Sequence, residues 1–90
     1  MNTIDKHTAL IGTLAAKTNV LARAQRISIE MKYPPTYRTF VLVDAPMTAE
    51  DLANIDTIAT EHGCDTNAFK AGGKVSTITF VDMDEKRSDR

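Results

Sequence analysis

Two histidines, one cysteine and twelve acidic side chains are the groups in this 90-residue chain with the means to do acid–base, nucleophilic or metal chemistry. Three of these types meet in His62-Gly63-Cys64-Asp65. An imidazole beside a thiol can activate a nucleophile, and imidazole, thiolate and carboxylate are all zinc ligands. No second His or Cys cluster completes a metal set. A glycine between the two reactive residues fits the end of a helix, so the segment reads as a helix terminus. His62 then sits favourably at the negative pole of the helix dipole, and Cys64 is a small buried apolar residue. His7 reads as a polar-face or helix-edge residue.

The remaining candidates also resolve into structural roles. Gly72-Gly73-Lys74 lacks the longer glycine pattern between strand and helix that a phosphate loop needs, and reads as a turn between two strands. Glu50 with Asp51 reads as a solvated helix start, and Asp82 with Asp84 as a strand end. Neither pair has a partner that would split acid and base roles. The expectation is a protein that is not an enzyme, with no catalytic residues, metal or cofactor.

Elements to position these groups follow from periodicity. Ile4, Ile11, Leu14 and Leu21 share one face of a 3.6-residue period and predict an amphipathic helix over about 3–24, with Asn2 or Thr3 as its cap. From Arg26 the period becomes two, which predicts a strand over 26–33 ended by Pro34-Pro35. A second strand over 37–44 is apolar on both faces and is expected to be central. Pro46-Met47-Thr48-Ala49-Glu50-Asp51-Leu52 carries a capping box from Thr48 and Asp51, with Met47 and Leu52 as the staple, and opens a helix that ends near His62-Gly63. A second hairpin, 66–71 and 74–83 about Gly72-Gly73, completes the pattern.

The order helix, hairpin, helix, hairpin predicts an α+β fold, αββαββ: a four-stranded antiparallel sheet with two helices packed on one face, a permuted ferredoxin-like arrangement. Strands 37–44 and 74–83 are its expected centre. A single domain over 1–83 is expected, followed by a charged flexible tail over 84–90.

Composition bounds the function classes. With 42% hydrophobic and 26% charged residues the chain is a small globular domain, not a disordered or fibrous one. A lone cysteine forms no intrachain disulfide, and no run of roughly 18 apolar residues or secretory leader is present, so a cytoplasmic protein with no membrane association is expected. Residues 1–45 carry six basic and three acidic side chains, against five and nine in 46–90. The basic half is too weak to announce nucleic acid.

Two helices cover one sheet face. By bulk, Phe40, Leu42, Ile78 and Phe80 are expected beneath them, which leaves Thr39, Val41, Val43, Val75, Thr77, Thr79 and Val81 as an open β-branched face. Either the first helix crosses to cover that face, or a homodimer or protein partner does. Tyr33, Tyr37, Glu50, Asp51, Asp56 and Glu61 are the expected polar contacts of a partner. The function expected is therefore a small non-enzymatic regulatory or inhibitory protein that binds protein, of a kind that phages and mobile elements encode. The alternative is a nucleic-acid-binding regulator using Lys17, Arg23, Arg26, Lys32 and Arg38, disfavoured by the absence of aromatics from the expected open face.

Overall fold

The computed structural model describes residues 3–32 and 36–82. In chain order these form α1 (Thr3–Lys17), a 3-10 turn (Leu21–Arg23), β1 (Ala24–Lys32), β2 (Thr36–Ala45), α2 (Ala49–Glu61), β3 (Cys64–Ala71) and β4 (Lys74–Asp82). The four strands make one antiparallel sheet in the order β1-β2-β4-β3, with both helices on the same side. The αββαββ, α+β expectation holds, with β2 and β4 central. The Pro34-Pro35 connection, Tyr33, Asn2 and the tail 84–90 lie outside the described residues.

The first helix is shorter than its apolar spacing predicts, ending at Lys17 rather than near Ala24. Thr18 marks the exit: its Oγ1 donates to the Leu14 carbonyl at 2.7 Å, as Thr8 and Thr13 do to their own i−4 carbonyls within α1, but it also accepts the Val20 amide at 3.3 Å. A β-branched hydroxyl that competes for backbone groups favours leaving the helix. The buried face of α1 also differs from the predicted one. His7, Leu10 and Leu14, at spacings of three and four, are fully buried, whereas Ile4 is exposed.

α2 begins as its local sequence dictates. Asp51 N–H donates to Thr48 Oγ1 at 3.0 Å, and Thr48 N–H donates to an Asp51 carboxylate oxygen at 3.2 Å, a closed capping box. Met47 and Leu52 both pack against the core. The chain leaves α2 through Gly63 at φ 72°, a left-handed conformation that costs a residue with a Cβ roughly 1–2 kcal/mol. Gly72 and Gly73 both have positive φ, as a two-residue primed hairpin turn requires.

The core lies between the helices and one sheet face: Leu10 and Leu14 from α1, Ile55, Ile58 and Ala59 from α2, and Val41, Val43, Cys64, Val75, Ile78 and Phe80 from the sheet. Burying each large aliphatic or aromatic side chain contributes about 1.5–3 kcal/mol.

The strand pairing corrects the expected faces. Thr39 is opposite Phe80 and Val41 opposite Ile78, while Phe40 is opposite Thr79 and Leu42 opposite Thr77. Directly opposed residues share a face. Thr39, Val41, Val43 and Val75, expected in the open, are therefore buried beneath the helices, and Phe40 and Leu42, expected beneath them, are on the other side. Only Ile78 and Phe80 of the expected helix-facing set are there. Val75 changes side because the pairing slips between Phe69 and Lys70, where β4 spends an extra residue.

Candidate functional site: the open sheet face and a buried polar cluster

The face away from the helices is built in three rows across the sheet. One row is Arg26, Leu42, Thr77 and Phe69; the next is Ser28, Phe40, Thr79 and Asn67; the third is Glu30, Arg38, Val81 and Asp65. Its two central strands carry Phe40, Leu42 and Val81 among Arg38, Thr77 and Thr79, and its edge strands are polar apart from Phe69. Leu42 is 39% exposed and Phe69, near the β3–β4 turn, 66%. Arg38, Phe40, Asp65, Asn67, Thr79 and Val81 line a shallow depression of about 560 Å³ on this face. Of the residues expected here, Thr77, Thr79 and Val81 are present.

The aromatics expected to be missing are also here, as Phe40 and Phe69. They accompany two of the five basic residues considered for nucleic acid, Arg26 and Arg38. Arg23 instead donates to the Pro46 carbonyl at 3.3 Å, Lys17 ends α1, and the Lys32 side chain lies outside the described atoms. Glu50, Asp56 and Glu61 are exposed on α2, in the helix layer, and so on the side of the domain opposite the open face. Asp51 is committed to the capping box. Tyr37 is half-buried beside the cluster described next rather than free for a partner: its ring centroid lies 6.5 Å from that of His7.

The chemistry-bearing residues meet elsewhere, and not in the pairing their sequence suggested. His62 turns back onto α2, its Nδ1–H donating to the Ile58 carbonyl at 2.9 Å, with Nε2 3.2 Å from Thr13 Oγ1 on α1. Cys64 points into the core, its thiol directed at the His62 carbonyl at 3.8 Å. Its neighbours in space are His7 and Asp82. Ligand atoms of these three residues lie within 4.8 Å of one another, and all three residues are fully buried.

His7 links three elements. Its Nδ1 is 2.6 Å from Thr39 Oγ1 on β2, and its Nε2 is 3.1 Å from Asp82 Oδ1 on β4. Asp82 Oδ1 also takes the Lys6 ammonium at 3.2 Å, and the other carboxylate oxygen accepts the Tyr37 amide at 3.3 Å. Every carboxylate oxygen is thereby satisfied, as burial demands. Burial lowers the His7 pKa, an effect that the Asp82 carboxylate opposes and Lys6 reinforces. Burial, with the Asp82 charge adding to it, pushes the Cys64 thiol up to about 11. In this state the thiol is protonated and inert. Threonine, imidazole and carboxylate stand in the linear order of a hydrolytic triad, yet with Thr39, His7 and Asp82 all closed to solvent no substrate reaches the hydroxyl.

His7, Thr39 and Asp82 were not singled out together by sequence reasoning. Two local signals mark them: His7 falls three and seven residues before the buried Leu10 and Leu14, and Asp82 falls two and four after Phe80 and Ile78. A histidine and a carboxylate on two apolar stripes that face one another need each other as partners.

No described helix is long and apolar enough to cross a membrane. No protein-family model matches the sequence, and comparisons with curated proteins and with solved structures give no match either.

Proposed function

We propose that this protein is a non-enzymatic regulatory or inhibitory module that acts by binding protein through its open sheet face, with a second copy of itself as the first occupant. The apolar centre formed by Phe40, Leu42 and Val81 carries this reading, since a solvated sheet face ordinarily alternates to polar residues. The two charges that β1 places on this face, Arg26 and Glu30, are self-complementary. A two-fold axis running across the strands along the Phe40–Thr79 row would exchange the two outer rows. Arg26 would then stand opposite Glu30 of the second copy, and Phe40 opposite Phe40, as an isologous contact requires. A cytoplasmic setting belongs to the same reading, because a single buried cysteine suits a reducing compartment.

Light scattering over a concentration series tests it. A mass near twice the 9.9 kDa chain, reduced to that of the monomer by Leu42→Lys or Val81→Lys with helical and strand signals intact, is the expected result. A native chain that stays monomeric throughout removes the second copy as occupant.

One observation favours a second reading, single-stranded nucleic acid. Phe40 and Phe69 are aromatic surfaces on which bases could stack, beside Arg26 and Arg38. Glu30 and Asp65 on the same face oppose it electrostatically. Binding to an oligonucleotide that weakens steeply with salt and is lost on Phe40→Ala would favour this reading over protein binding.

A further inference from the structure

We propose that His7 Nε2, Cys64 Sγ and Asp82 Oδ1 form a binding site for a divalent cation of the zinc class, the ions that accept imidazole, thiolate and carboxylate together. This site is separate from the open face and independent of what that face binds.

The donors come from three elements, α1, β3 and β4, which the fold alone brings together. Zinc–ligand bonds of about 2.0–2.3 Å place two ligands of a tetrahedral ion roughly 3.3–3.6 Å apart. His7 Nε2 and Asp82 Oδ1 are 3.1 Å apart, and the thiol sulfur, within 4.8 Å of both, closes the set by a shift of about 1 Å. The supporting contacts are those a metal-binding imidazole and carboxylate use. Nδ1 of His7 is held by Thr39 Oγ1, to which it donates once Nε2 binds the ion, and the second oxygen of Asp82 is held by the Tyr37 amide.

Positive charge already sits at this place. The Lys6 ammonium lies 3.2 Å from Asp82 Oδ1, on a side chain that is 20% exposed and passes beside Gly63, where there is no side chain to hem it in. Lys6 is therefore both the resident counter-charge and the cover, and its long stem lets it swing into solvent. The exchange balances. The arriving ion sheds aqua ligands and forms bonds to nitrogen, oxygen and sulfur; the Lys6–Asp82 ion pair, the hydrogen bond from His7 Nε2–H to Asp82 and the Cys64 S–H bond break, the imidazole proton moves from Nε2 to Nδ1, where Thr39 Oγ1 accepts its hydrogen bond, and the thiol proton leaves to solvent. Two positive charges, the ammonium and the proton, are replaced by the two of the ion, so a buried site that was neutral remains neutral. Nothing is oxidised or reduced. His62 does not compete from within the cluster, because its Nδ1 is committed to the Ile58 carbonyl and its Nε2 faces Thr13.

Cobalt(II) is the probe, since a thiolate on cobalt gives a near-ultraviolet charge-transfer band. Titration of the full chain is expected to produce that band, to saturate at one ion per chain, and to be reversed by zinc, with about one proton released per ion. Cys64→Ala is expected to abolish the band. Lys6→Met, which removes a like charge from beside the ion, is expected to tighten binding roughly tenfold or more. A cobalt spectrum with no thiolate band, zinc binding that is equal in native and Cys64→Ala protein, or an affinity unmoved by Lys6→Met would each overturn the site. Circular dichroism of each variant establishes that it is folded, and Lys6→Met keeps the test intact if Cys64→Ala does not fold.

Discussion

His7 Nδ1 lies 2.6 Å from Thr39 Oγ1, with both residues closed to solvent, so the first helix is fixed to a central strand by a hydrogen bond inside the core. The same imidazole reaches Asp82 on the neighbouring central strand. Thr39→Val keeps the shape and removes the hydroxyl, which leaves a buried ring nitrogen without its partner. A loss of about 1–3 kcal/mol in urea unfolding is expected. Asp82→Asn leaves Lys6 facing a neutral amide and is expected to cost about 3 kcal/mol. The two losses should not add in the double variant, because both act through one imidazole.

Stability should fall on acidification through the histidine range. Burial holds the His7 pKa below its ordinary 6.5, so between the two values the unfolded chain binds the proton more readily than the folded one. Stability rises with pH wherever the unfolded state binds more protons. The contribution of His7 is thus fully present above pH 6.5 and is lost as pH falls through the lower, folded-state value. Melting temperatures measured from pH 7.5 down to 4.5 should show this slope in native protein, reduced in His7→Gln.

The Cys64 thiol gives the opposite sign at the other end of the scale. Its folded pKa of about 11 stands above the ordinary 9.0, so the folded state keeps the proton that the unfolded chain gives up. Stability contributed by the neutral thiol is present below pH 9 and declines as pH rises toward 11. In metal-free protein at neutral pH, a disulfide reagent should label Cys64 at the rate of global unfolding. Rapid labelling of the folded chain would contradict its burial.

Val41 and Leu42 are adjacent in sequence and on opposite faces of β2, which makes them a sharp pair of substitutions. Val41→Lys forces an ammonium under α1 and is expected to unfold the domain. Leu42→Lys places it on the open face and is expected to change thermal stability by less than about 1 kcal/mol in a monomer. Two variants that are equally stable, or a stability order that is reversed, would show the pairing of β2 with β4 to be shifted by one residue.

What could be read from the sequence depended on how far its determinants reach along the chain. The start of α2 is decided by residues 47–52, and its capping box is present as read. Element order, central strands and the glycine turn rest on equally short patterns. Which face of β2 turns inward does not. That strand is apolar on both sides, so its own alternation is silent, and bulk favoured Phe40 and Leu42 over Thr39 and Val41. The pairing with β4 and the His7–Thr39 bond decide the matter instead, and small residues suit a strand on which α1 rests. The buried cluster escaped for a related reason. His62 and Cys64 are near neighbours in sequence, whereas in the fold the thiol meets an imidazole from α1 and a carboxylate from the end of β4.

The hydrogen bond from His7 to Asp82 spans 75 residues. On a ribosome adding roughly 5–20 residues per second, about 4–15 seconds pass between synthesis of its two ends. Throughout that interval the His7 imidazole has no Asp82 to pair with. The buried polar link closes last, when β4 takes its place between β2 and β3 and brings Asp82 to the imidazole.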